Sequence, residues 1–266
     1  MNILLTGASG FLGTIFCDEL ARLGHHVDGL SRKPGSAYAC DLGQSIPVIN
    51  KQYDIVIHAA GKAHAIPKSQ ADSDDFYQTN VEGTKHLLAA LDRSGRLPQS
   101  VVFISSISVY GCEAGEMIDE QQPLNGESPY ALSKIQAEKL LVAWGQLNHV
   151  PVLILRLPLI AGPNPPGNLG SMVNAIRKGR YMRIGKGEAR KSVVMANDIP
   201  RHIIQNMHHA GIYNLTDDDN PTVAELEQAI SMQLNKSDPI AMPFLVVSLI
   251  AKTGDMLGSR APLNSA

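Results

Sequence analysis

The stretch Ile3-Leu4-Leu5-Thr6-Gly7-Ala8-Ser9-Gly10-Phe11-Leu12-Gly13 constrains this chain more than any other. An apolar run of strand type ends at Thr6, glycines follow at three-residue intervals, and a helical rhythm starts at once. Glycine at 7 permits a tight turn. Glycine at 10 lets backbone amides approach a pyrophosphate, and glycine at 13 lets the helix pack closely on its strand. The helix N-terminus then offers unpaired donors and the positive end of its dipole to an anion. An ordinary strand–turn–helix corner is the plainer reading. The position of the triplet, after a strand and before a helix, is the context that favours a dinucleotide site.

Apolar residues at Leu12, Ile15, Phe16, Leu20 and Leu23 continue the helix, with Gly24 as its C-terminal stop. His26 to Leu30 reads as a second strand. A site for an unphosphorylated dinucleotide places an acid about 20 residues past the glycines to hold the ribose hydroxyls. Here that place holds Ser31-Arg32-Lys33. Arg32 is either a forked partner for a 2′-phosphate or a solvated loop arginine. Tyr53 to Gly61 reads as a third, buried strand whose end (Ala59, Ala60, Gly61) is small enough to leave space for a cofactor. His58 reads better as a packed, hydrogen-bonded histidine than as a ligand-facing base. Lys62 and His64, just beyond, are candidate substrate contacts. A helix is expected from Asp74 to Leu91 and a fourth strand from Ser100 to Ser105, running into Ser106.

Tyr130 and Lys134 stand four apart in a helix expected to open at Ser128 and run to Leu147, so both lie on one helical face. A free tyrosine, with a pKa of about 10, is a poor base at neutral pH. A neighbouring ammonium favours the phenolate and brings it toward the working range. Alone, this pair is common in surface helices. Together with the glycine turn and the upstream Ser106 it gains meaning.

These motifs resemble the extended short-chain dehydrogenase/reductases, the NAD-dependent epimerase/dehydratase family, in its nucleotide-sugar-modifying branch. The resemblance rests on Thr6-Gly7-Ala8-Ser9-Gly10-Phe11-Leu12-Gly13, His58-Ala59-Ala60-Gly61, Asn80-Val81-Glu82-Gly83-Thr84, Ser105-Ser106-Ile107-Ser108-Val109-Tyr110-Gly111 and Tyr130-Ala131-Leu132-Ser133-Lys134. It implies a Rossmann-type, doubly wound parallel α/β sheet with a small C-terminal substrate-binding lobe. It implies Tyr130 as acid/base, Lys134 as its activator and ribose ligand, and Ser106 as the donor that positions the reacting oxygen and contacts substrate. It also sets Phe11, Leu12, Asp41, Leu42 and Pro158 beside the cofactor, although a turn aspartate is the competing role for Asp41. Asn80 is expected to tie its helix to the neighbouring strand.

Beyond Val152 to Leu157, a further strand, Arg156 to Pro163 resembles the family's Arg-to-Gly-Pro turn, with Ala161 where tyrosine is usual. A helix is expected over Met172 to Arg177 and a strand over Ser192 to Met195. Asn168 and the pair Arg190-Lys191 lie where relatives contact a substrate diphosphate. Asp198 is expected as a helix cap, and Thr222-x-x-Glu225 as a capping box. The division expected is residues 1–162 for the dinucleotide domain and 163–266 for a lobe interleaved with the end of the sheet.

The resemblance implies an enzyme that moves a hydride between NADP or NAD and a UDP-hexose or UDP-acetamidohexose, by 4-keto reduction or by 4-epimerisation. Arg32 favours NADP and tilts the choice toward the reductase. Dehydratases of the family carry an Asp-Glu pair where this chain has Ile107 and Ser108. A non-catalytic cofactor sensor or scaffold on the same fold is the rival from another class.

A net charge of −2 argues against nucleic acid. Cys17, Cys40 and Cys112 form neither a disulfide framework nor metal spacing and suit a reducing cytosol. The first strand begins at the N-terminus with no room for a signal peptide, so a cytoplasmic location is expected. Phe244 to Ala251 is too short to span a bilayer and reads as a core or interface helix. No metal and no membrane association is expected, and a homodimer is an admissible assembly.

Overall fold

The computed structural model describes residues 1–63 and 67–242; His64 and the run Phe244 to Ala251 lie outside the described residues. In chain order the elements are β1 (Asn2–Thr6), α1 (Phe11–Arg22), β2 (His26–Ser31), β3 (Tyr38–Ala39) and β4 (Ile55–His58). Next come α2 (Gln70–Tyr77), a π-helical turn (Gln78–Glu82), α3 (Gly83–Ser94), β5 (Ser100–Ser106) and a 3-10 turn (Ile107–Tyr110). They are followed by α4 (Pro129–Asn148), β6 (Val152–Leu157), β7 (Leu159–Ala161), α5 (Gly167–Arg177), β8 (Met182–Ile184) and β9 (Val193–Met195). The last are α6 (Ile199–Asn206), β10 (Gly211–Asn214), α7 (Val223–Gln233) and β11 (Ile240–Met242).

Two compact units emerge among the described residues, Met1–Pro165 with Val194–Asp217, and Pro166–Val193 with residues 218–242. The first holds a seven-stranded sheet in the order β10-β6-β5-β4-β1-β2-β3. Every pairing in it is parallel. Parallel strands need helical crossovers, and those helices cover both faces. Side-chain alternation along the strands therefore feeds two cores. Leu4, Val56, Val101 and Phe103 pack with Leu87, Leu91, Leu141 and Trp144 of α3 and α4. Ile3, Leu5, Ile57 and Val102 pack with Phe16, Leu20, Ile199 and Ile203 of α1 and α6. The chain winds outward from β1 through β2 on one side and through β4 on the other. That reversal leaves a crevice at the carboxyl ends of the strands, where doubly wound sheets bind ligands.

In the second unit β8 pairs in parallel with β11. Glu227 of α7, fully buried, accepts Tyr181 Oη at 2.8 Å and Arg183 Nε at 2.5 Å. The expected capping box at the start of α7 is present, with Thr222 and Glu225 bonding reciprocally.

Several boundaries differ from the sequence reading for identifiable reasons. The long helix expected from Asp74 is divided into α2 and α3 by the π-helical turn, an insertion that apolar periodicity does not register. The third strand shortens to Ile55–His58; beyond it the Ala60 amide donates to the Thr6 side chain instead of to a backbone partner. The helix expected at Met172 starts a turn earlier, at Gly167. Asp198 occupies the N-cap position of α6, yet its backbone is already helical and its side chain makes no capping bond.

Candidate active site

The glycine turn joins β1 to α1. Gly7 adopts φ +72°, a conformation glycine takes without penalty, and its amide donates to Leu30 O at 2.9 Å. A Cβ at Gly7 would lie 2.7 Å from the Ala60 amide nitrogen, and one at Gly13 would lie 2.1 Å from Gly7 O. Helix α1 starts behind Gly10 with no side-chain cap. Its first amides, on Phe11, Leu12 and Gly13, are thus the unsatisfied donors of a helix N-terminus. A turn packed too closely to admit a Cβ at Gly7 or Gly13, with uncapped amides at the start of the helix, makes a cradle that suits a diphosphate. Gly29 of β2 belongs to the same construction, since a Cβ there would come 2.8 Å from that of Ala8. A glycine inside a strand is the signal that would have found it.

The end of β4 is locked by His58. Its Nδ1 lies 2.7 Å from Thr6 Oγ1 and its Nε2 lies 2.9 Å from Thr84 Oγ1. The Ala60 amide donates to Thr6 Oγ1 at 3.1 Å, and Thr84 Oγ1 donates to Asn80 O at 2.6 Å. The Thr84 proton is thereby committed, so Nε2 carries the ring proton and Thr6 donates to Nδ1. Burial, then the Lys134 charge, holds this imidazole down at about 3 and neutral. His58 is a packed histidine, and the plainer of its two readings is correct.

Asn80 sits in the π-helical turn and bonds in three directions. It accepts the Lys62 amide at 2.7 Å, donates to Lys62 O at 3.1 Å, and donates to Ser133 Oγ at 2.8 Å. It ties the loop past β4 to α4, a wider role than a bond to the neighbouring strand. A Cβ at Gly61 would fall 3.1 Å from Asn80 Oδ1 and 3.3 Å from Lys134 Nζ, which brings the β4 loop against the lysine.

Helix α4 carries the reactive pair. Ser128 caps it by accepting the Ala131 amide at 3.1 Å, and Pro129 stands at its first position. Burial pushes the Tyr130 phenol up, and the neighbouring Ser106 side chain acts in the opposite direction. Ser106 Oγ, at the end of β5, accepts the Ser108 amide at 3.2 Å, which leaves its own proton free to donate. Lys134 Nζ donates to Ile104 O at 2.8 Å and lies 4.5 Å from the centre of the Phe103 ring. Burial lowers Lys134 to about 8, opposed by the Glu138 charge. The structure thus brings Ser106, Tyr130 and Lys134 to the carboxyl ends of the central strands, where the glycine turn also lies.

The remaining expected residues fall as follows. Arg32 is exposed just past β2 and has no ion-pair partner among the described residues. Asp41 makes a turn, its Oδ1 accepting the Gly43 amide at 3.0 Å, and Leu42 packs into the core beside α3. Lys62 pairs with Asp75 at 2.8 Å and lies 5.0 Å from the centre of the Phe76 ring. Pro158 joins β6 to β7 and is half-buried. Asn168, Arg190 and Lys191 are exposed in the second unit, where Arg190 donates to Asn220 O at 2.9 Å. Among the described residues no cluster of histidine, cysteine and carboxylates is placed to hold a metal ion, and no helix is long and apolar enough to cross a membrane.

The family model described as "NAD dependent epimerase/dehydratase family" matches residues 3–216, from the glycine turn through the Ser106, Tyr130 and Lys134 motifs. The chain belongs to the NAD-dependent epimerase/dehydratase family. Among curated relatives it is 29% identical over 252 residues to N-acetyl-α-D-glucosaminyl-diphospho-ditrans,octacis-undecaprenol 4-epimerase of Escherichia coli O157:H7. That match covers 90% of this chain and 74% of the relative. The fold is shared with the UDP-glucose 4-epimerase of Thermus thermophilus in complex with NAD, at a TM-score of 0.73 and 24% identity over 91% of this chain and 86% of that one. It is shared equally with a human epimerase-family protein bound to NADPH, at a TM-score of 0.75 and 22% identity over 94% and 85%.

Proposed function

We propose that this family member transfers a hydride, through NAD or NADP, at C4 of a hexose or acetamidohexose linked to a diphosphate. The observation that carries this reading is the trio Ser106, Tyr130 and Lys134 set at the strand ends beside the glycine cradle. The cofactor's nicotinamide, when bound, takes up and returns the hydride. The turn from Gly7 to Gly13 would hold its diphosphate, with Ala59, Ala60, Gly61 and Pro158 against it and Asp41 and Leu42 toward the adenine end. Tyr130 removes the proton of the sugar hydroxyl as the carbon is oxidised, and returns it on reduction. Lys134 stabilises the phenolate and would bond the nicotinamide ribose. Ser106 donates its free proton to the reacting oxygen, which fixes the carbon's orientation. Lys62, His64, Asn168, Arg190 and Lys191 are the proposed substrate contacts.

Two reactions share this machinery. Epimerisation at C4, the reaction named for both the Escherichia coli relative and the Thermus structural neighbour, oxidises the sugar and reduces it again on the other face. Reduction of a 4-keto sugar is the second reading, favoured by exposed Arg32 standing where an NAD site would carry an acid. The substrate of the Escherichia coli relative is carried on diphospho-undecaprenol, so the shared element to test is a diphosphate-linked acetamidohexose.

The test incubates the protein with UDP-glucose, UDP-N-acetylglucosamine and undecaprenyl-diphospho-N-acetylglucosamine, and follows C4 inversion by NMR. Inversion without net cofactor consumption marks the epimerase; stoichiometric NADPH oxidation with a 4-keto sugar marks the reductase. Tyr130→Phe should lower turnover by roughly two orders of magnitude while cofactor affinity survives. Cofactor binding without turnover of any of these sugars would turn the assignment toward a sensor. Undiminished turnover in Tyr130→Phe would remove that residue from the mechanism.

A further inference from the structure

Helix α4 buries a second charged residue one turn beyond Lys134. Glu138 and Arg156 are 3% and 2% exposed, and their side chains meet in a two-pronged contact. Arg156 Nε donates to Glu138 Oε1 at 3.1 Å and Nη2 to Oε2 at 2.7 Å. Ser105 Oγ donates to the same Oε1 at 2.5 Å. The third arm of Arg156 reaches Tyr110 Oη at 3.0 Å, and that hydroxyl donates to Asn214 Oδ1 at 2.6 Å.

Strand register explains why these groups meet. Ser105 of β5 is paired with Arg156 of β6, and Arg156 with Asn214 of β10, so the three form one row across the sheet. Paired residues in a parallel sheet share a face. Glu138 docks onto that row from α4. Ser105 immediately precedes Ser106, and Glu138 lies one turn from Lys134 on the same helical face. The contact therefore joins the strand bearing the positioning hydroxyl to the helix bearing the tyrosine and lysine.

A buried ion pair contributes little net stability, because desolvating both charges offsets their attraction, and an apolar pair of the same shape would serve the fold as well. Its consequence for the site is different. Lys134 is buried against Phe103 and Ile104 O, a setting that disfavours the ammonium. Among the described residues, the other ionisable groups beside it are Tyr130 on its own helix and His58 from β4, which is neutral. Arg156 from β6 and Tyr110 from the 3-10 turn face Glu138. Among these, Glu138 alone supplies a negative charge in the resting site.

We infer that Glu138 is a positioning residue of this site: seated on the Ser105–Arg156–Asn214 row, its carboxylate keeps Lys134 in the ammonium form and holds α4 in register with Ser106. This rests on the reading of Lys134 as the activator of Tyr130. Arg156 anchors the carboxylate so that it acts on the lysine as a fixed charge rather than closing on it as a mobile partner.

The experiment titrates the cofactor-free protein, so its outcome does not depend on which sugar is the substrate. In protein labelled with 13C-lysine, the resonance that titrates far below the other lysines and is missing in Lys134→Met belongs to Lys134. In Glu138→Gln, which keeps the shape and can still accept from Ser105, that midpoint should fall by about one pH unit. Should bare Arg156 prevent folding, Glu138→Gln combined with Arg156→Gln removes both charges and should move the midpoint down by a smaller amount, since a nearby positive charge is lost as well. Glu138→Asp, which keeps the charge, should restore most of it. The alkaline limb of the pH–rate profile should shift with the midpoint. An unchanged midpoint in a folded variant, with thermal stability alone lowered, would reduce Glu138 to a helix clamp and overturn the inference.

Discussion

Alanine at two glycines of the β1–α1 turn should produce opposite phenotypes. At Gly13 a methyl would sit 2.1 Å from Gly7 O and 2.7 and 2.8 Å from Ala8 Cα and C. All three atoms are backbone, so no side chain can swing aside. Relief requires α1 to move from its strand by about 1 Å, against a close-packed core around Phe16 and Leu20. Overpacking of this kind costs about 1–3 kcal/mol, and the rigid surroundings place Gly13→Ala toward the upper end. For a domain of this size that is about 5–10 °C in Tm. At Gly10, φ is −81° and the nearest atom to an added methyl is Gly7 O at 3.2 Å. A shift of a few tenths of an ångström accommodates it, so Gly10→Ala should fold with nearly parental Tm. Its methyl instead occupies the approach of a diphosphate to the helix amides. Loss of one or two charge-assisted bonds there is worth about 1.5–3 kcal/mol, roughly one to two decades in cofactor affinity. Thermal unfolding and fluorescence titration with NADH and NADPH separate the two effects. Equal Tm values for the two variants, or parental cofactor affinity in Gly10→Ala, would refute the geometry assigned to the turn.

Lys134→Met should abolish turnover and yet stabilise the fold at pH 7: holding the lysine near 8, against the usual ~10.4, costs about 3 kcal/mol, and the lost bond to Ile104 returns only about 1 kcal/mol of this. Because the folded value is the lower one, the gain is complete below pH 8 and shrinks as pH rises toward 10; urea unfolding at both ends tests it, and a variant weaker than the parent at pH 7 would overturn it. Arg32→Ala should weaken NADPH by about one to two decades and NADH hardly at all; calorimetric titration showing equal losses, or a parent that prefers NADH, would end the 2′-phosphate role and favour an epimerase holding NAD. Burial alone would raise Asp28, but bonds from Lys51 at 2.8 Å and Tyr53 at 2.7 Å bring it below the ordinary carboxylate value. Its stabilisation is present above about pH 4 and is lost as pH falls through the depressed value, so Tyr53→Phe should cost about 1–2 kcal/mol at pH 7 and less in acid; a penalty independent of pH would mean that the hydroxyl acts through Tyr38 Oη, 2.9 Å away, rather than through the Asp28 carboxylate.

What the sequence determined by itself is local. The β1–α1 turn was legible because its demands fall on residues within a few positions of each other, where only glycine meets a positive φ at Gly7 and the crowding at Gly13. The Tyr130–Lys134 pair was legible because helical periodicity alone puts residues four apart on one face. The Thr222–Glu225 capping box is likewise contained within one turn. Tertiary structure decided what joins distant positions. His58 became a satisfied histidine through Thr6 and Thr84, 52 and 26 residues away, and a neutral one through burial and the Lys134 charge. Asn80 acquired its reach from a π-helical turn, which a 3.6-residue rhythm passes over. Glu138 in α4 found Arg156, and Tyr110 found Asn214 across 104 residues, because the strand order brought β5, β6 and β10 side by side. Local spacing cannot state that order. A buried polar group must find a partner, and which partner it finds is settled when the sheet closes its ranks.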